Sequence, residues 1–243
     1  MNDFRILAHL IRQHVPDTSL PGLLRRFPAS IILASTITFI GIATSPLSKS
    51  QYEPILNRFG LDYDIISDTH FWHIMTPLFI QPSPGIGWKM VVLVVSACVA
   101  LELLAGSVRL IVTFFVSDWA STVITSAVLA VLSRLGVYRA TEAIHITDAG
   151  TSAAAVGALA AALTLLLPPR LAGIAYGILF AAVITDATIN ANDFGPAVVH
   201  IVAILVGGAL GRYLWRPQLY HAIRHGHSFR MGGVSNLSDI PRG

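Results

Sequence analysis

The chain has 243 residues, of which 54% are hydrophobic and 12% are charged, with a formal net charge of +3 at pH 7. Soluble domains usually carry about twice that share of charged residues, so the composition excludes an ordinary soluble domain and indicates a membrane protein. No basic patch with interleaved aromatic residues occurs, and we therefore expect no nucleic-acid partner. The excess positive charge instead suits contact with anionic lipid at a membrane surface.

Residues 1–28 form a polar segment that is too long for the n-region of an ordinary signal peptide. We therefore expect the first apolar run to be a retained signal anchor and the N-terminus to be cytoplasmic. Within this segment, Leu7, Leu10, Ile11 and Val15 fall on one helical face. That pattern fits either a helix lying in the membrane interface or a frayed terminus.

Six apolar runs follow, each near the length of about 20 residues that a helix needs to cross a bilayer. Short loops join the runs and leave no room for a separate soluble domain. The sequence thus predicts an all-α, six-helix transmembrane domain over 29–216 and a tail over 217–243. The runs cover residues 29–45, 86–106, 110–132, 150–167, 171–189 and 195–215.

The basic residues predict the orientation of this domain. With a cytoplasmic N-terminus, 11 of the 16 Lys and Arg residues fall on the cytoplasmic side, as is typical of cytoplasmic loops. Both termini are then cytoplasmic in a multi-pass protein of the cell membrane. The tail carries His221, His225 and His227, which we interpret as part of a solvated segment rather than as metal ligands. We expect neither a metal nor another cofactor.

Three acidic residues fall within the predicted spans, where ionisable groups are costly and are usually paired or functional. Glu102, at the end of the second span, is expected to bond the adjoining loop. Asp118, in the third span, is expected to pair with a neighbouring helix or to contact a partner. Asp186, near the outer end of the fifth span, is expected to pair with solvent or a loop amide. The alternative is that Asp186 is the third member of a catalytic site.

The fourth and sixth spans carry small residues at every fourth position, a pattern that lets two helices approach closely. The first of these stripes begins beside Ser152, and the second begins one turn after His200. Both residues lie within one or two turns of the outer end of their helix, so we expect them at the same depth. The stripes are Ala153, Gly157 and Ala161 on the fourth span and Ala203, Gly207 and Gly211 on the sixth.

Together, Ser152 and His200 suit nucleophilic catalysis. A serine hydroxyl becomes a nucleophile when a base within about 2.6–3.2 Å removes its proton. The start of a helix also offers unpaired N–H groups to a developing oxyanion, and Gly150 leaves room for the backbone of a substrate. The alternative is that Thr151 and Ser152 only cap the helix, assisted by Asp148.

Four motifs, in order along the chain, resemble those of the rhomboid family, the six-helix intramembrane serine proteases. WHIMTPLF (72–79) is similar to the family's Trp-Arg-x-x-Thr, with His73 in place of the arginine. ELLAG (102–106) is similar to its Glu-x-x-x-Gly, in which Glu102 and Gly106 are helix-packing positions. GTSAAAVGALAA (150–161) and HIVAILVG (200–207) are similar to its Gly-x-Ser-Gly and His-x-x-Gly-x-x-x-Gly.

This resemblance implies Ser152 as the nucleophile, His200 as the general base, and transmembrane segments of membrane proteins as substrates. The chain departs from the family at the oxyanion site. Family members usually carry His and Asn one turn apart on the second helix, whereas this chain has Ile86 and Met90. A further histidine of the family is matched by Gln81, which can still donate a hydrogen bond.

Two functions are left open by these residues. One is a slow or specialised intramembrane protease with a degenerate oxyanion site. The other is a catalytically inactive rhomboid-like pseudoprotease that binds the transmembrane helices of client proteins. The longer stretch TDAGTSAAAVGAL (147–159) also resembles a rhomboid-like branch common in actinobacteria, which implies a bacterial inner membrane.

Overall fold

The computed structural model describes residues 22, 25–62, 71–189 and 194–218, and most of these are helical. Two short helices, two 3₁₀ turns and one antiparallel pair of two-residue strands accompany the longer helices. The longer helices are α1 (Pro28–Thr44), α3 (Trp88–Ala105), α4 (Ser107–Arg134), α6 (Ser152–Leu166), α7 (Pro169–Ile189) and α8 (Phe194–Ala209). The short elements are α2 (Lys49–Phe59), α5 (Tyr138–Ala143), β1 (Leu61–Asp62), β2 (Thr147–Asp148) and the turns Phe71–Ile74 and Pro77–Phe79.

Within the described residues, four helices are long and apolar enough to cross a membrane, which supports the predicted membrane class. They are α3, α4, α7 and the continuous helix Phe194–Gln218, in which a π-helical segment, Leu210–Trp215, follows α8. The remaining two predicted spans, α1 and α6, are apolar helices of 17 and 15 residues. Each of the six predicted runs begins and ends within about three residues of the ends of an observed helix, with Phe194–Gln218 counted as one helix. Continuous apolar runs predict such helices because a helix that is buried in protein or in lipid is apolar all round.

The 15-residue helix α6 is the centre of the bundle and packs against α3, α4 and α8. Its Ala-rich sequence, with Gly157, gives it a narrow surface, so three longer helices can surround it closely. By contrast, α7 lies at the periphery, where Ala172 is its one buried residue. A residue at the start of α6 is thus enclosed by protein on several sides.

Glu102 ties the ends of three helices together at one end of the bundle. Its buried carboxylate accepts hydrogen bonds from the backbone N–H groups of Ala29 and Ser30 at 3.1 and 2.8 Å. It also accepts hydrogen bonds from the hydroxyls of Ser30 and Ser107 at 2.5 and 2.6 Å. Gly106, which separates α3 from α4, has a φ of +85° that favours glycine. Glu102 therefore caps α1 from the end of α3. The sequence predicts a bond to the adjoining loop, whereas the observed bonds join Glu102 to the starts of α1 and α4.

The sequence predicts a loop between α1 and α3, but part of this segment is helical. Helix α2 begins with a capping box in which Ser48 and Gln51 bond each other's backbone N–H groups. The strand β1 after it pairs with β2, directly before α6, through Leu61 opposite Asp148. Buried Tyr52 packs against this same region. The first loop is thus attached to the segment that leads into Ser152.

Two predictions fall outside the described residues. They are the interfacial helix around Leu7, Leu10, Ile11 and Val15 and the interpretation of the tail histidines His221, His225 and His227.

Candidate functional site

The small-residue stripes of α6 and α8 face each other in the structure. A methyl group built on Gly207 would lie 2.0 Å from the carbonyl oxygen of Gly157, and one on Gly211 would lie 2.9 Å from that of Ala161. A methyl group on Gly157 would lie 3.2 Å from the carbonyl oxygen of Ala203. Only residues without large side chains allow the two backbones to approach this closely.

The register of this contact brings Ser152 and His200 to the same level. Residues that face each other across the two helices are 46 to 50 positions apart along the chain, and His200 follows Ser152 by 48. Their neighbours agree, because Ala153 and Val199 belong to one buried apolar cluster. The two helices run in the same direction, as the predicted topology requires.

Ser152 and His200 line a common cavity of about 420 Å³. Both side chains are half-buried. The segment before α3 and the Ile189 end of α7 form the other walls of the cavity. Its remaining lining residues are Gln81, Pro82, Ser83, Pro84, Gly85, Ile86, Gly87, Lys89, Met90, Ala149, Val183, Asp186, Ala187, Pro196 and Ala197.

The start of α6 lies beside this cavity, with Ser152 among the lining residues. Thr151 is the N-cap residue, and its side chain makes no capping hydrogen bond to the described part of the chain. Its buried hydroxyl has no hydrogen-bond partner there at all. Capping by Thr151 therefore does not explain the hydroxyl at this position. Gly150 has a φ of +127° and donates its N–H to the carbonyl of Pro77 at 2.9 Å, which holds the turn before Ser152.

Gln81 lines the cavity and carries a buried side-chain amide. The residue is 7% exposed, and its Nε2 atom has no hydrogen-bond partner among the described residues. An unsatisfied buried amide is costly, by about 1–3 kcal/mol, and such a group calls for an explanation, of which a catalytic role is one. The backbone of Gln81 is held from behind, because the Tyr52 hydroxyl donates to its carbonyl oxygen at 2.6 Å. Burial is the largest cause of the raised pKa of Tyr52, so this donor stays protonated at neutral pH.

Two apolar residues occupy the positions at which the rhomboid resemblance leads one to expect oxyanion donors. Ile86 and Met90 both line the cavity, and neither can donate a hydrogen bond. Gln81 is therefore the side-chain amide that the structure brings to the cavity in their place.

Two charged residues line the cavity, and of these the sequence indicated Asp186, as an alternative third catalytic residue, but not Lys89. Asp186 lies near the end of α7, and Lys89 lies at the start of α3. Lys89 makes no ion pair with a described residue, and its side chain is exposed. Asp118, by contrast, is buried in α4 and does not line the cavity.

Comparison of the chain with protein-family models, curated proteins and solved structures found no match. The resemblance to the rhomboid family therefore stays a prediction that depends on the sequence motifs.

Proposed function

We propose that this protein is a rhomboid-like intramembrane serine protease with a Ser152–His200 dyad and a reduced oxyanion site. One observation carries the proposal: Ser152, His200 and Gln81 line the same cavity, and the buried amide nitrogen of Gln81 has no hydrogen-bond partner among the described residues. A nucleophile, a base and a donor for a developing negative charge are the groups that acyl transfer requires.

The depth of the site supports a substrate within the membrane. Helix α6 has 15 residues and is therefore about 22 Å long, whereas the hydrocarbon core of a bilayer is about 30 Å thick. If α6 ends level with the longer helices at its Leu166 end, Ser152 lies below the opposite membrane surface. In this proposal α1 and α6 complete a six-helix domain in the bacterial inner membrane, with both termini cytoplasmic.

The chemistry proceeds in two steps. In the first, His200 takes the proton of Ser152 as the hydroxyl oxygen attacks the scissile carbonyl carbon. The N–H of Ser152 and the Gln81 amide stabilise the oxyanion, and His200 then gives its proton to the leaving amine. In the second, His200 deprotonates a water molecule, which attacks the acyl-enzyme ester. Collapse of that intermediate releases the new carboxyl group and returns the proton to Ser152.

A second candidate function is favoured by the apolar wall of the same cavity. Because Ile86 and Met90 stand where other donors are expected, the cavity also suits a pseudoprotease that holds the transmembrane helix of a client without cleaving it. The two functions differ in one measurable respect, which is whether the hydroxyl of Ser152 reacts.

The test is covalent labelling of the purified full-length protein with a fluorophosphonate probe. The protease proposal predicts labelling at Ser152, loss of labelling in Ser152→Ala and His200→Ala, and the same pattern for cleavage of a single-span model substrate in liposomes. Ser83→Ala is the matched control, because Ser83 lines the same cavity without a proposed catalytic role. Removing an oxyanion donor lowers rates by about 100–1,000-fold, so Gln81→Ala is expected to cleave that much more slowly.

Thermal unfolding of each variant separates loss of chemistry from loss of fold. Absence of labelling in a folded wild-type protein would overturn the protease proposal. If Ser152→Ala and the wild type then capture a single-span client equally, the pseudoprotease is supported.

A further inference from the structure

A second cavity, of about 270 Å³, lies between α7 and α8 at the end of the bundle away from Ser152. We name it the α7–α8 groove and define it by Gly173 and Tyr176 of α7, together with Leu205, Gly208, Arg212 and Tyr213 of the continuous helix Phe194–Gln218. It shares no lining residue with the Ser152 cavity.

The groove is lined by two glycines, which leave space, and by Tyr176, whose hydroxyl is bonded to α6. The hydroxyl of Tyr176 donates to the carbonyl of Ala160 at 2.9 Å and bonds the hydroxyl of Thr164. These bonds hold the tyrosine against α6, where a methyl group built on Gly208 would lie 2.7 Å from its hydroxyl oxygen. One turn away, Gly173 has no described heavy atom within 4 Å of such a methyl group. The empty space therefore lies beside Gly173.

A cation stands at the groove. The exposed side chain of Arg212 makes no hydrogen bond or ion pair with the described part of the chain, and its guanidinium lies over the ring of Tyr213, 5.8 Å from the ring centroid. Arg212 belongs to the π-helical segment Leu210–Trp215, a kind of helical turn that recurs at functional sites. A guanidinium with open donors is suited to the oxygens of a phosphate group.

The charge of this whole end of the bundle favours an anion. Among the residues described, the one acid here is Glu102, whose carboxylate is already bonded to the starts of α1 and α4. The basic residues at the same end are Arg25, Arg26, Arg109, Arg170, Arg212 and Arg216. An anion at Arg212 therefore meets a positive field that no free described acid offsets.

The surface beside the groove identifies the rest of the ligand. Ile174, Ile178 and Leu205 are 60%, 65% and 58% exposed, so in a bilayer they contact acyl chains. A free phosphate would use Arg212 alone, whereas a lipid would also fill the apolar space at Gly173. We infer that the α7–α8 groove binds one anionic phospholipid, with its phosphate at Arg212 and part of an acyl chain beside Gly173.

Native mass spectrometry of the delipidated full-length protein, titrated with phosphatidylglycerol or phosphatidylcholine, tests this inference. We expect one phosphatidylglycerol to bind more tightly than phosphatidylcholine. A basic residue near a membrane surface contributes about 1 kcal/mol to anionic lipid binding, so Arg212→Gln is expected to weaken phosphatidylglycerol binding about fivefold. Gly173→Leu is expected to weaken it by filling the groove.

Matched controls lie on the same helix and at the opposite end of the bundle. Gly177→Leu adds the same side chain one turn further along α7, where a methyl group likewise meets nothing within 4 Å among the described atoms, and Gly177 does not line the groove. Arg139→Gln removes an equal charge far from it. Both are expected to bind phosphatidylglycerol as the wild type does.

Two results would overturn the inference. One is unchanged binding in both Arg212→Gln and Gly173→Leu, and the other is displacement of the lipid by inorganic phosphate alone, which would identify a free-phosphate site. Ser152→Ala is expected to bind the lipid normally, so the outcome does not depend on the proposed protease activity.

Discussion

The contact between Gly207 and Gly157 sets the separation of α6 and α8, and Gly207→Ala tests it directly. The added methyl group would lie 2.0 Å from the carbonyl oxygen of Gly157 and 2.8 Å from its Cα atom, whereas ordinary contacts begin near 3.4 Å. The helices must therefore separate by about 1 Å or more, and overpacking of this kind costs about 1–3 kcal/mol. The same movement carries His200 away from Ser152.

Gly177→Ala is the matched control, because its methyl group meets nothing within 4 Å among the described atoms. Replacing an unconstrained helical glycine by alanine stabilises by about 0.5–1 kcal/mol. Thermal unfolding of the purified proteins in detergent measures the difference. At about 2–4 °C per kcal/mol, we expect Gly207→Ala to unfold at least several degrees below Gly177→Ala and to lose fluorophosphonate labelling. Equal unfolding temperatures would refute the close approach of the two helices.

Two further predictions concern the polar contacts around the bundle. Glu102→Ala leaves several buried donors at the starts of α1 and α4 unpaired, at about 1–3 kcal/mol each, so its unfolding midpoint should fall well below that of Glu102→Gln; equal midpoints would contradict this role. Tyr52→Phe removes the hydrogen bond to the Gln81 carbonyl and should cost about 0.5–1.5 kcal/mol. Burial raises the pKa of Tyr52. The stabilisation by its hydroxyl is therefore complete below about pH 10 and is lost as the pH rises through the raised pKa. The wild type and Tyr52→Phe should then converge in stability at high pH.

Continuous apolarity in the sequence predicted the six long helices, because a helix surrounded by protein or lipid shows its length in one uninterrupted run. The polar helix α2 was missed, although the Ser48–x–x–Gln51 pattern is a capping-box signal. Spacing also indicated which faces of α6 and α8 carry small residues. The stripes show where close packing is possible, and the observed register then places Ser152 and His200 at one level.

The sequence by itself determined the class of protein, the order of its helices and the identity of the nucleophile and base candidates, because these follow from local composition and spacing. Only the tertiary structure decided what surrounds Ser152. The Thr151 hydroxyl does not cap α6 within the described chain. The Gln81 amide nitrogen is buried and has no hydrogen-bond partner among the described residues. Asp186 and Lys89 also reach the cavity. These groups come from segments far apart in the chain, and whether such side chains meet depends on how the helices pack, which local spacing does not encode.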